Sequence, residues 1–104
     1  MFIQTESTPN PSTLKFIPGR VVMKEGTAFF QSLEEALHSP LGKRLFGIEG
    51  VKSVFFGLDF ITVSKINSIE WDILKPSVLG SIMDHYSSNE KVVDKQPIKN
   101  ENLK

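Results

Sequence analysis

The stretch Val51-Lys52-Ser53-Val54-Phe55-Phe56-Gly57-Leu58-Asp59-Phe60-Ile61-Thr62-Val63-Ser64 decides the fold. Two runs rich in β-branched and aromatic residues, 51–56 and 60–64, flank the three-residue loop Gly57-Leu58-Asp59. A glycine-containing loop of that length between such runs predicts a β-hairpin. Successive side chains of a strand point to opposite faces, so Phe55 and Phe56 diverge, and at least one face has a partner or a covering loop to meet.

Upstream, residues 2–6 read as a strand, and Thr8-Pro9-Asn10-Pro11-Ser12 as a stiff loop, because each proline fixes its own φ and drives the residue before it to extended geometry. Residues 13–17 form a second strand with Leu14 and Phe16 on one face and Lys15 on the other. Pro18-Gly19 is a type II turn signal that would return residues 21–23 antiparallel, with Gly26 ending the unit. Ser32 and Glu35 have capping-box spacing, which predicts a short helix over 32–38. Ser39 can cap a second helix with Pro40 at its first position and Gly47 closing it in left-handed geometry; Leu41, Leu45 and Phe46 make its apolar stripe.

Downstream of the hairpin, Asn67 and Glu70 repeat the capping-box spacing. Trp71, Leu74, Val78 and Ile82 then recur at three- and four-residue steps, the signature of an amphipathic helix. Pro76 predicts a kink, or a helix that starts near it. From Ser87 the pattern fails, and residues 88–104 read as a charged tail or an interdomain linker after a domain of residues 1–87. The expected fold is α+β: a small antiparallel sheet of three to five strands with two or three helices packed on one face.

The chain has 104 residues, with Lys+Arg and Asp+Glu equal at 12 each. That length suits one core, and a balanced charge argues against nucleic acid and against an anionic membrane surface. Cysteine is absent, which removes disulfides, thiolate metal sites, thiolate-held clusters and cysteine nucleophiles from this chain. Neither a basic, apolar leader nor a stretch of about 20 apolar residues occurs, so the expected placement is cytoplasmic, with the mature chain starting at Met1.

Several stretches together resemble the N-terminal domain of Nfu (NifU-like) proteins. They are Phe2-Ile3-Gln4-Thr5-Glu6, Thr8-Pro9-Asn10-Pro11, Leu14-Lys15-Phe16 with Pro18-Gly19, and Ser39-Pro40-Leu41 with Leu45-Phe46. Gly50 to Phe56, Asp59 to Lys65, and Trp71 followed by Lys75-Pro76 complete the series, which runs in order from Met1 to about Tyr86. The resemblance implies a part in iron–sulfur cluster assembly and delivery. Two-domain members of that family carry a Cys-x-x-Cys motif in a C-terminal domain, and this sequence departs there. The implied cluster therefore belongs to a full-length protein through a domain absent from this chain, and no cofactor is expected on the chain itself. The expected partners are iron–sulfur donor or client proteins and the missing C-terminal domain. The chain reads either as a fragment ending in the linker or as a member made of this domain alone.

Candidate partner-binding residues are Thr8, Pro9, Asn10 and Pro11, Lys15, and Phe55, Phe56 and Phe60. A pre-stiffened loop loses little entropy on binding, though two prolines also serve as a plain rigid connection between strands. Exposed rings would make an apolar patch, though aromatics at alternating strand positions also pack a core. Lys15, Arg20, Lys43, Arg44, Lys52 and Lys65 could form a basic face for an acidic partner, or stand as separate solvated charges. His38 and His85 lack metal-ligand spacing, and no nucleophile elbow or phosphate loop occurs, so no catalytic or metal residue is expected. Two other functions stay open: a hydrolase or transferase using His85 with Asp84 or a loop serine, which needs a deep polar pocket beside His85, and a dimerisation module using a sheet edge or the Phe-rich hairpin.

Overall fold

A computed structural model describes residues 1–94. Its elements are β1 (Gln4–Ser7), β2 (Thr13–Ile17), β3 (Ala28–Phe30), α1 (Pro40–Phe46), β4 (Val51–Phe56), β5 (Ile61–Lys65) and α2 (Trp71–Ser87). The strands form one sheet in the order β1-β2-β5-β4-β3, with every neighbouring pair antiparallel. The fold is α+β, as the sequence predicts, with five strands and two helices. The central hairpin is β4–β5, closed by a bond from the Gly57 amide to the Phe60 carbonyl at 2.9 Å.

Register explains the core. One row across the sheet runs Thr5, Phe16, Ile61, Phe56, Ala28, each opposite the next. Phe16, Ile61 and Phe56 are fully buried, together with Val54 and Val63 on the same face. Leu41 and Leu45 of α1 and Leu74, Val78 and Ile82 of α2 pack on them. Period-2 strands and a period-3.6 helix stripe thus converge on one layer. Gly42 lets α1 sit close: a Cβ there would stand 2.9 Å from Ser39 Oγ and 3.0 Å from Ala36 Cβ.

Four local expectations need correction. Residues 21–23 do not return along β2; the Val22 and Met23 amides donate instead to Leu58 at 2.7 Å and Gly57 at 3.1 Å, binding the hairpin loop. Gly19 does take φ +80°, the value a type II turn needs at that position.

Residues 32–38 make turns rather than a helix. The cap chemistry still forms, since Ser32 Oγ accepts the Glu35 amide at 3.1 Å and the Glu35 carboxylate accepts the Gln31 amide at 2.8 Å. A segment this short cannot recover its nucleation cost before Pro40 forces Ser39 to extended geometry.

Gly47 closes α1 at φ −72°, not in left-handed geometry; the left-handed φ of +105° falls on Gly50. Finally, α2 begins at Trp71 with Glu70 as an N-cap that makes no side-chain cap bond, and it continues through Pro76 to Ser87. Asn67 is occupied elsewhere, its Oδ1 accepting from Ser12 Oγ at 3.3 Å.

Beyond α2, residues 88–94 run back along α1. Ser39 Oγ donates to the Val92 carbonyl at 2.6 Å, the Asp94 amide donates to the His38 carbonyl at 2.7 Å, and Arg44 meets Glu90 at 3.0 Å. The remainder of the expected tail or linker, residues 95–104, lies outside the described residues.

Candidate partner-docking face

Among the described residues, helices cover one face of the sheet and leave the other open. On the open face the central row is Glu6, Lys15, Thr62, Phe55, Phe29, again each opposite the next. Every member is half-buried or exposed. This row is displaced by one residue from the buried row, so the pleat alone separates Phe55 from Phe56.

Three rings gather at one end of this face. Phe55 lies 6.5 Å from Phe29 and 5.9 Å from Phe60, centroid to centroid. Phe29 is 54% exposed, which leaves the cluster open to a partner. Phe60 reaches it by folding over Gly57, where a side chain would meet the ring. The Lys15 ammonium stands 4.6 Å from the Phe60 centroid, a cation–π distance. Toward the other end, Thr13 Oγ1 and Ser64 Oγ share a hydrogen bond at 2.7 Å, so the face turns from aromatic to hydroxyl-bearing.

The candidates from the sequence divide on this geometry. Lys15, Phe55 and Phe60 come together on the open face. Phe56 does not: it is fully buried and packs edge-on to Phe30 at 5.9 Å, so for this ring the core reading holds. Phe29 belongs to the open cluster and was not read from the sequence. Its signal was the Phe29-Phe30 pair, which repeats the two-faced pattern of Phe55-Phe56.

The loop of Thr8, Pro9, Asn10 and Pro11 joins β1 to β2 at the far end of the sheet. There the Lys65 amide, at the end of β5, donates to the Ser12 carbonyl at 2.8 Å, whereas Phe60 precedes the start of β5. The loop builds itself: Asn10 Oδ1 accepts the Ser12 amide at 2.9 Å and Thr8 Oγ1 accepts the Asn10 amide at 3.2 Å. Trp71 Nε1 donates to the Pro11 carbonyl at 3.1 Å, tying the loop to the start of α2.

The six basic residues are not brought to one face. Lys15 is on the open face, and Lys65 is buried on the covered one with Nζ 3.4 Å from the Ile66 carbonyl. Arg44 binds Glu90, and Arg20 lies 5.0 Å over the Tyr86 ring. Among the described residues no three His, Asp or Glu side chains converge as metal ligands.

His85 is fully buried, one step further along the stripe that ends at Ile82, and its neighbour Asp84 is exposed. Among the described residues neither ring nitrogen has a hydrogen-bond partner. Burial holds its pKa below the usual histidine value, the Arg44 charge adds to that, and Glu90 opposes it. Two clefts on the surface of the described residues lie elsewhere. One, of about 600 Å³, is walled by Val21, Met23, Val92 and Val93 with Lys24, Glu25 and Lys91; the other, of about 240 Å³, is formed by Met1, Arg20, Met83, Tyr86 and Ser87. The polar pocket that a His85–Asp84 enzyme needs is thus not at either cleft.

Residues 3–89 match the family described as scaffold protein Nfu/NifU N terminal. The chain is 54% identical over 90 residues to the NifU-like protein 4, mitochondrial, of Arabidopsis thaliana, covering 86% of this chain and 32% of that protein. It is 52% identical over 97 residues to the human NFU1 iron-sulfur cluster scaffold homolog, mitochondrial, covering 92% of this chain and 38% of the relative. The chain therefore spans about a third of the length of these relatives. Both names carry the word mitochondrial, so the cytoplasmic placement read from the sequence finds no support in them. Among solved structures, a NifU-like protein from Saccharomyces cerevisiae superposes with a TM-score of 0.79 at 26% identity, covering 91% of this chain and 86% of that one. A Staphylococcus aureus protein superposes with a TM-score of 0.69 at 26% identity, covering 79% and 99%.

Proposed function

Because the chain belongs to the scaffold protein Nfu/NifU N-terminal family, we propose that it is the docking module of an iron–sulfur cluster scaffold, holding donor or client proteins while another domain carries the cluster. The cluster is cargo in this reading. The residues present do not suit it as a ligand set: cysteine is absent, and the two histidines do not pair, His38 being exposed and His85 buried. What the domain offers instead is a surface. The observation that carries the reading is the open sheet face, where Phe29, Phe55 and Phe60 form one uncovered cluster beside Lys15. Aromatic side chains supply large contact area at small entropic cost and are enriched in interface centres, while a charge at the border of such a cluster steers association.

The hydrolase or transferase alternative is not favoured, because His85 is packed without partners and Asp84 points to solvent. The Thr8–Pro11 loop is the second docking element in this reading, fixed in advance by its own hydrogen bonds and by Trp71.

The test is an amide chemical-shift titration of the isotope-labelled chain with cluster-loaded and cluster-free forms of an iron–sulfur carrier protein. Shifts concentrated at Phe29, Phe55, Phe60 and Thr62 are expected. Binding with no change on this face would overturn the assignment of the surface, and no binding by any carrier would overturn the docking role.

A further inference from the structure

The open face also specifies what kind of segment it takes, an inference that rests on the docking role above. We infer that the face binds a partner segment carrying an apolar side chain against Phe29 and Phe55 and a carboxylate against Lys15. Lys15 makes no side-chain hydrogen bond among the described residues, and its ion pair with Glu6, its neighbour across β1 and β2, spans 3.9 Å. That exceeds a hydrogen-bonded separation of about 2.7–3.2 Å. The ammonium is nevertheless positioned by the Phe60 ring beneath it. A cation whose one ion pair is long and whose hydrogen-bond donors are unused, beside an aromatic cluster, is complementary to an anion that arrives attached to an apolar group.

Spacing follows from the sheet. Phe29 on β3 and Lys15 on β2 are separated by β4 and β5, three strand spacings, or about 14 Å. An extended segment advances about 3.3 Å per residue, so the apolar residue and the carboxylate stand about four residues apart. The size of the patch argues against a second copy as occupant. A stable interface takes about 800 Å² from each partner, whereas three partly covered rings, at about 150–250 Å² when whole, supply much less. A short segment of another protein fits that area.

The probe is the peptide acetyl-FLSTSE-amide, compared with its counterpart ending in lysine, each titrated into the labelled chain. The acidic peptide should bind with a Kd on the order of millimolar, as a short flexible ligand on one patch does. It should shift Phe29, Phe55, Phe60 and Thr62, and bind about tenfold more tightly than the lysine peptide. Lys15→Glu should abolish that preference or reverse it in favour of the lysine peptide. Lys15→Met, which keeps an unbranched stem and drops the charge, should abolish it as well. Equal binding of the two peptides, a preference unchanged in Lys15→Glu, or shifts away from this face would overturn the inference. So would a concentration-dependent dimer that protects the same amides. If a carrier protein perturbs the face while the acidic peptide does not, the docking role stands and the partner chemistry falls; if both leave it unchanged, both fall.

Discussion

Gly57 and Phe60 share one space on the open sheet face: the Phe60 ring lies over the bare Cα of Gly57, where any Cβ would fall within the ring. The missing side chain is what lets Phe60 reach Phe55 at 5.9 Å and hold the Lys15 ammonium at 4.6 Å. Gly57→Ala should therefore swing the ring outward. The stability cost should be about 1 kcal/mol, since an edge ring can yield where a packed core cannot. Docking should suffer more than stability does. Urea denaturation and ring-to-ring contacts in the Phe55–Phe60 pair check this; an intact stack in the alanine variant would count against it.

Trp71 and Pro11 are joined across sixty residues of sequence by one indole bond of 3.1 Å. Trp71 also tilts against Phe16 at 6.3 Å, so its ring is anchored in the core while its N–H reaches the loop. Trp71→Phe keeps the aromatic contact and removes the donor. At this exposed site the loss should be about 0.5 kcal/mol, with faster amide exchange at Asn10, Ser12 and Thr13 and little change elsewhere. A loss above about 2 kcal/mol would instead place the indole's weight on packing rather than on the hydrogen bond.

The hairpin of β4 and β5 was legible because its signals are local: runs rich in β-branched and aromatic residues around a short loop with glycine. The α2 stripe was legible for the same reason, and even its unread member, His85, sits three residues beyond Ile82 in the same series. What escaped was set by distant groups. β3 is three residues long and exists because Val54 to Phe56 offers it an edge. Residues 21–23 bond the hairpin loop rather than β2, a choice made by tertiary approach and not by Pro18-Gly19. The Ser32–Glu35 cap formed without its helix, which shows a start signal outlasting the element it should begin. At the site, the pleat predicted that Phe55 and Phe56 part company, but only the register could add Phe29 and Lys15 to the Phe55 side.

His85 makes folding sensitive to acid. Its pKa is lowered in the folded chain, so the unfolded chain binds the proton more readily near the ordinary value of about 6.5. The sign follows: the neutral buried form is fully favourable above about pH 6.5, and stability is lost as pH falls below it. His85→Leu removes the titration and two unpaired buried nitrogens at nearly constant volume. At pH 8 it should leave stability unchanged or raise it by about 1 kcal/mol, and its advantage over the native chain should widen toward pH 5. Paired denaturation curves at the two pH values measure this, and a difference that does not grow on acidification rules it out.

Ser39 links α1 to the segment after α2. Its side chain is fully buried; Oγ accepts the Gly42 amide at 2.9 Å as the helix N-cap and donates to the Val92 carbonyl at 2.6 Å. Ser39→Ala removes both bonds at once. Loss of the cap alone costs about 1–2 kcal/mol, and the released Val92 carbonyl adds to that when it cannot reach water. Global stability should fall by about 2 kcal/mol. The more specific consequence concerns Asp94, whose amide is held by His38 one residue before the cap. If Ser39 fastens residues 88–94 to α1, exchange at the Asp94 amide should accelerate by more than the global destabilisation accounts for, while the β4–β5 amides follow the global value alone. Equal acceleration at both places would mean that the cap acts on the whole domain and that Arg44 with Glu90 suffices to hold the segment down.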